Sequence, residues 1–473
     1  MSLLDPATWD ADERRAALDL GKAGFDHCSA SGTARNGMVI GSTGPFAHLA
    51  GQRALEAGGS AVDAALTTAF AQIVLAAGSW VSFAGFFGMI HFDGATGEVT
   101  ALSAGYGTFA EETDPASIPA SPTPSGRTAL VPGFVAGAHA AHQRFGKLDW
   151  TELWAPARYI AEHGVPVGET LAGMFAYAAK VLTRTPEGRA MFAPSGALPG
   201  AGDTFAPPAL AATLAKLAEH GPDWMYRGPW AERFVDIVRR DGGRARMSDL
   251  SSYQPIWSRP ASGRFAGHDL HTLPAPDTGG RRLLTALGLI DVADLGDPTT
   301  DPDALYWLIQ IIRYVSGDQA DLPSTESYDA RWARLLRAGK IGTEPPTTTG
   351  GHSDCVVTAD RDGNLTAVCH SINTAAWGST GLVVDGIPLP DSASFQQAEL
   401  APGAHLPMVA CPAIALSDSG AVQASSSIGS GLNAVTIPGI HITLRLGLDP
   451  AAAVALPLGT VRRRLSATRS PRR

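Results

Sequence analysis

A hairpin signature between Gly350 and Asn373 narrows the possible folds of this chain further than any other stretch. The run reads Gly350-Gly351-His352-Ser353-Asp354, then Cys355 to Ala359, Asp360-Arg361-Asp362-Gly363-Asn364, and Leu365 to Asn373. Two β-rich segments flank Asp-Gly-Asn, the composition of a tight hairpin turn. Ser353 then stands at the head of the first strand, directly behind a glycine-rich break. The residues before it, Glu344 to Gly351, hold Pro-Pro, three threonines and two glycines, a flexible linker and the clearest boundary in the chain. A serine in that place suits one particular chemistry. The peptide bond before it is cut, and the freed α-amino group becomes the base for the adjacent hydroxyl. The same residues also read as an ordinary turn leading into a strand, which is the commoner use of such a pattern.

Composition sets the outer bounds. The chain has 473 residues, 45% hydrophobic and 17% charged, as in a soluble globular protein with room for more than one core-sized unit. A net charge of −9 and a pI near 5.8 argue against nucleic acid or an anionic membrane as the main partner. Four cysteines without a CxxC pair argue for neither a disulfide framework nor a zinc site, and no cofactor or metal is expected. Met1 to Asp19 carries charges throughout and no apolar h-region, so no secretory signal is visible and a cytoplasmic location is expected.

Residues 1–36 read as a polar lead-in. Met38-Val39-Ile40 begins a first strand, and Phe46 to Ala57 a helix that Gly58-Gly59 stops. Ser60 and Asp63 form a capping box for a second helix, with Val62, Ala65, Leu66, Ala69, Phe70, Ile73 and Val74 at helical spacing. This run to Ala77 is apolar enough to raise a membrane span, but Asp63, Thr67, Thr68 and Gln72 interrupt it and favour a buried core helix. Phe87 to Phe92 and Val99 to Ser103 alternate as two strands. Helices are expected from Gly133 through Ala141, from an Asp149/Glu152 capping box to Gly164, from Pro208 to Gly221, from Pro229 to Gly242, and over residues 303–338. Pro412 to Leu416 and Ala421 to Ala424 make a further hairpin. Ser425 to Gly431 is a small-residue loop opening a helix near Asn433. Such a loop presents backbone N–H groups to an anion or oxyanion, and serves as well for close packing. From about residue 457 the chain is expected to be a disordered basic tail containing Arg462-Arg463-Arg464.

The order of these pieces resembles the γ-glutamyltranspeptidase family, the glutathione hydrolases. The resemblance is carried by Ala57-Gly-Gly-Ser-Ala-Val-Asp-Ala-Ala65, by Val131-Pro-Gly-Phe-Val-Ala-Gly137, and by Phe145-Gly-Lys-Leu148 followed by Trp154-Ala-Pro-Ala157. Met247-Ser-Asp-Leu250 to Tyr253, Pro274 to Gly280, and Asp362-Gly-Asn364 to Asn373 complete the series. Each motif alone is weak, but their shared order runs from about Met38 to Leu456. The resemblance implies an α+β fold, a four-layer αββα sandwich of the N-terminal nucleophile hydrolase type. It also implies a small-molecule substrate, and a precursor that cuts itself into a large segment, 1–352, and a small one, 353–473, which stay associated.

In that family the nucleophile is the first Thr of a Thr-Thr-His-like triplet, a fixed distance before the Asp-Gly-Asn turn. Counting back from Asp362 without gaps lands on Ser353-Asp354-Cys355. The resemblance therefore makes Ser353 the nucleophile and His352–Ser353 the cleavage site, with Asp354 and Cys355 departing from Thr-His. A competing register matches His352 to the family's histidine and puts Gly350 at the nucleophile position. It needs three extra residues in the strand, which would reverse its in/out alternation. Asn373, in His370-Ser371-Ile372-Asn373-Thr374, matches Tyr-Thr-Leu-Asn-Thr. There the Asn contacts substrate and the preceding hydroxyl, kept here by Ser371, supports the nucleophile. Without the resemblance Asn373 reads as a turn residue. Gly429-Ser430 approximates the family's Gly-Gly oxyanion hole.

The substrate clamp departs from the family. Tyr106 stands where the family grips the glutamyl carboxylate with Arg, Val409-Ala410 where it has Ser-Ser, and Ala393 where an Asp holds the amino group. Losing one partner of such a charge pair costs roughly 2–5 kcal/mol, so γ-glutamyl recognition is expected to fall by orders of magnitude. Two functions follow. One is a self-processing hydrolase or acyltransferase with a Ser nucleophile and an altered amide or related substrate. The alternative is an unprocessed, inactive family member that acts as a binding scaffold.

Overall fold

The computed structural model describes residues 2–22, 33–315, 353–395, 400–426, 436–450 and 453. The strands that matter here are β1 (Gly37–Gly41), β2 (Phe86–Phe92), β3 (Val99–Ala104), β4 (Ile256–Ser258), β5 (Ala261–Phe265), β6 (His268–Thr272), β7 (Ser353–Asp360), β8 (Leu365–Ser371), β9 (Ala413–Ser417) and β10 (Gly420–Ser425). β1, β7, β8, β2, β3 and β4, in that spatial order, form an antiparallel six-stranded sheet. β10, β9, β6 and β5 form an antiparallel four-stranded sheet. The hairpin predicted around Asp362-Gly363-Asn364 is β7–β8. It is inserted between β1 and β2, both from far earlier in the chain.

The pleat sorts side chains into layers. Phe87 and Met89 of β2 point into a core shared with the helices α2 (Pro45–Glu56), α3 (Ala61–Leu75) and α4 (Phe134–Phe145). Phe86, Ile90 and Phe92 point the other way, into a middle core with Ile414 of the second sheet and Leu273, just past the end of β6. A third core joins that sheet's outer face to α5 (Gly279–Val292) and α6 (Pro302–Val315), through Leu270, Ala413, Leu287 and Leu308. The order is helix, sheet, sheet, helix, as the family resemblance implies.

α3 shows why its polar interruptions are tolerated. Ser60 Oγ accepts from Asp63 N at 3.1 Å, and the Asp63 carboxylate accepts from Ser60 N at 2.9 Å, which closes the capping box. Thr67 and Thr68 donate back to the carbonyls of Asp63 and Ala64, each at 2.8 Å, and Gln72 Nε2 donates to Thr43 O at 3.0 Å. A helix buried from Ala61 to Val74 thus gives each of these side chains a hydrogen bond, with Asp63 Oδ1 left without one. Among the described residues no helix is long and apolar enough to cross a membrane.

Three expectations need correction or limits. The polar lead-in contains a helix, α1 (Ala11–Lys22), and its Leu4 and Trp9 are buried, with the Trp9 ring 5.2 Å from that of Phe46. The helix expected from Asp149 to Gly164 is two, Trp150–Leu153 and Ala155–His163. Pro156 has no N–H to continue the first, and Asp149 makes no side-chain cap bond. The helix expected over 303–338 is seen as Pro302–Val315, and its continuation, the linker 344–351, the segment 427–435 and the basic tail lie outside the described residues.

Candidate active site

Ser353 is the first residue of β7 and lies directly across from Ser371, the last of β8. Asp360 N bonds Asn364 O at 3.1 Å beside the turn. Counting from that hydrogen-bonded pair, Ser353 and Ser371 fall in a non-hydrogen-bonded pair, the closer of the two kinds. Strand alternation turns Ser353, Cys355, Cys369 and Ser371 toward the second sheet, and Asp354 and Val356 toward the helices. Cys369 and Val356 lie in the matching cores. Both serines are buried. Just beyond β8, Asn373 takes a positive φ of 54° and its N–H donates to Ser371 Oγ at 3.1 Å.

The Ile372 carbonyl, between Ser371 and Asn373, accepts from Tyr106 Oη at 3.2 Å and from Ser392 Oγ at 2.8 Å. Tyr106 is fully buried, and burial pushes its hydroxyl pKa well above the usual value. Ala393, next to Ser392, is also fully buried in the middle core. The structure therefore brings Ser353, Ser371, Asn373, Tyr106 and Ala393 into one neighbourhood. Ala410 lies in the same core, over Gly88 of β2, whereas Val409 packs into the outer core with α5 and α6. His352, Gly429 and Ser430 lie outside the described residues.

Sequence reasoning did not single out the partners of Asp354. Its carboxylate is completely buried on the helix side of β7. Oδ1 accepts from Ser42 Oγ at 2.8 Å and Thr43 Oγ1 at 2.7 Å, and Oδ2 from Trp80 Nε1 at 3.0 Å. Burial pushes its pKa up while the three donors pull it back, and each contact suits the ionised form. The only signal was the departure from Thr at this position; its partners are more than 270 residues away in sequence. Asp391 was missed too, although its partners lie only 17 and 12 residues before it. It is fully buried and ties the loop after Asn373 through Thr374 Oγ1, at 2.5 Å, and Ser379 Oγ.

Nearby groups differ in chemical fitness. Cys355 faces Cys369 across the hairpin, both thiols are free, and burial pushes that of Cys355 up to about 12, so little thiolate forms at neutral pH. His370 bonds Gln72 Oε1 at 3.0 Å, and burial drops its pKa to about 3. Arg127, the arginine nearest Tyr106 in sequence, is spent on Glu112 through bonds of 3.0 and 2.7 Å. Among the described residues no cluster of three or more His, Cys, Asp or Glu is arranged to hold a metal ion.

Two stacked antiparallel sheets between helical layers, with the β7–β8 hairpin at the centre of one, define a protein of the N-terminal nucleophile hydrolase fold. The solved cephalosporin acylase from Bacillus halodurans shares it, with a TM-score of 0.75 and 25% identity over 91% of this chain and 84% of that one. A family model described as gamma-glutamyltranspeptidase matches residues 47–458. The chain belongs to the γ-glutamyltranspeptidase family. It is 29% identical over 388 residues to the glutathione hydrolase proenzyme of Pseudomonas aeruginosa, covering 76% of this chain and 67% of that protein. It is 28% identical over 379 residues to the acylase ACY 1 proenzyme of Pseudomonas sp. strain SE83, covering 71% of this chain and 65% of the acylase. The chain thus spans about two thirds of the length of these relatives.

Proposed function

We propose that this chain is a self-processing acylase-like hydrolase whose nucleophile is Ser353, acting on an amide that lacks the charged head group of a γ-glutamyl substrate. The observation that carries the reading is the position of Ser353. It heads β7, faces the second sheet, and lies across from a Ser371 hydroxyl that is itself held by the Asn373 N–H. In processing, Ser353 Oγ attacks the His352 carbonyl carbon and the peptide nitrogen leaves, giving an ester at the same carbonyl. Water then hydrolyses that ester, leaving a His352 carboxylate and a free Ser353 amine. In turnover the amine takes the proton from Oγ, Oγ attacks the substrate carbonyl, and the leaving amine takes the proton away. Water releases the acyl group in a second step.

The substrate assignment rests on the burial of the clamp positions. Tyr106 and Ala393 are fully buried, Tyr106 spends its hydroxyl on Ile372, and Arg127 is engaged with Glu112. These contacts favour an acyl group without a free amino acid head. The relatives named acylase support the same direction. Intact-mass measurement of purified protein tests the first half: two fragments are expected, ending at His352 and starting at Ser353. Only full-length chain after prolonged incubation would leave the binding-scaffold reading. Ser353→Ala should abolish both cleavage and turnover, and Ser353→Thr should keep part of each. A γ-glutamyl anilide assay beside a neutral acyl anilide tests the second half. Turnover of the γ-glutamyl compound at or above that of the neutral one would overturn it.

A further inference from the structure

We propose that Asp354 and Trp80 form a positioning clamp that keeps the strand bearing Ser353 and the Ser371–Asn373 turn in register once the chain has been cut. The inference rests on the Ser353 reading for its purpose, and on geometry alone for its existence. A cut before Ser353 makes that residue a chain terminus, and termini fray unless tied down. Asp354 is the next residue and the first that can be held from the helix side.

The holding groups all come from before residue 352. Ser42, Thr43 and Trp80 each donate to the Asp354 carboxylate, at 2.8, 2.7 and 3.0 Å. Ser42 also takes part in the strand pairing, donating its N–H to Cys355 O at 3.2 Å and accepting Cys355 N–H on Oγ at 3.0 Å. Trp80 works at both strand ends. Its indole N–H reaches Asp354, and its backbone carbonyl accepts from Ile372 N at 3.2 Å. One residue thus joins the nucleophile side of the pair to the supporting side, and a shift at either end is felt at the other. A carboxylate suits this place because it accepts all three donors at once, while a threonine hydroxyl cannot.

The substitutions divide cleanly. Asp354→Ala takes this acceptor from one buried donor, the Trp80 indole N–H, and from two half-buried hydroxyls, Ser42 and Thr43. Asp354→Asn keeps an oxygen for Trp80, whose N–H can only donate, and turns its NH₂ toward the Ser42 and Thr43 hydroxyls, which can rotate to accept. Hydrogen exchange is measured first on the full-length Ser353→Ala chain, with and without Asp354→Ala. Exchange at the Cys355 and Ile372 amides should accelerate about ten-fold or more, as expected for a lost bond to a charged group, with α3 amides unchanged. In cleaved protein, Asp354→Ala should lower kcat about ten-fold with KM nearly unchanged, and Asp354→Asn should recover most of it. Unchanged exchange at both amides, or equal acceleration throughout α3, overturns the clamp. Full-length wild-type chain alone sinks the Ser353 reading instead, while the exchange result still decides the clamp.

Discussion

Tyr106 spends its one hydroxyl proton on the Ile372 carbonyl and keeps its ring among Phe86 and the middle core. It therefore holds the backbone between Ser371 and Asn373. Tyr106→Phe keeps the ring and loses the bond, at about 1 kcal/mol of stability. Turnover should fall several-fold with little change in KM. A lower melting temperature with unchanged kcat would reduce Tyr106 to packing. Tyr106→Arg is a harsher change, because position 106 is 1% exposed and a guanidinium there has no carboxylate in Ala393. It should destabilise by about 3 kcal/mol or more, and Ala393→Asp in the same chain should restore part of that loss. Additive melting temperatures in the double variant would show that the two positions do not meet. The identities at 106 and 393 were legible in the sequence, but the hydrogen bond from Tyr106 to residue 372 was not. Nothing local in either segment encodes a contact between residues so far apart.

The β7–β8 hairpin was readable because its turn residues and its strand alternation agree. So was α3, where Ser60 and Asp63 announce a start that the structure uses in both directions. The elements that resisted reading depend on partners elsewhere. Ala11–Lys22 is polar over most of its length and follows Trp9, which is buried against Phe46, and the break at Trp154 reflects one proline inside an otherwise helical pattern. The hairpin turn also abuts the turn between β2 and β3, and this gives a test at the level of elements. Gly363 has a φ of +82°, and a Cβ there would meet only Gly94 Cα, at 3.9 Å. A Cβ on Gly94 would come within 2.6 Å of Asp362 O and 2.7 Å of the Gly363 carbonyl carbon. Gly363→Ala should therefore cost about 1 kcal/mol of left-handed strain, and Gly94→Ala more, because two backbones must separate. Urea unfolding of the two variants checks the order; a milder effect at Gly94 would mean that the two turns are not packed as described.

At the scale of the whole molecule, and among the described residues, His91 and His370 are buried in the first sheet and His48 is half-buried beside it. Burial lowers His48 and His91 to about 4 and His370 to about 3. A histidine whose folded pKa is depressed supports the fold above its unfolded value and loses that support as the pH falls toward its folded value. Asp277 acts in the opposite sense. Burial raises it to about 6, so its contribution is complete at low pH and is lost as the pH rises through that value. Asp354 is shifted in the same direction as Asp277. Burial shifts His139, His271, His405 and His441 down as well, so imidazoles outnumber the two carboxyls and stability should drop between pH 6.5 and pH 5. Denaturant midpoints across that range give the slope, and a flat profile would contradict the burial of these rings. Asp277→Asn should raise the midpoint at pH 7.5 and leave it nearly unchanged at pH 4. The spatial order of the first sheet has one more consequence. β7 and β8 sit between β1 and β2, so a cut before Ser353 yields two polypeptides that share one sheet without either owning it. Made separately, the later piece would offer both hairpin edges bare, an invitation to aggregate. Assembly must therefore come before scission, and after scission recovery from denaturation becomes a second-order reaction that dilution slows. The uncut chain can repair itself alone; the cut one, once pulled apart, has to find its other half.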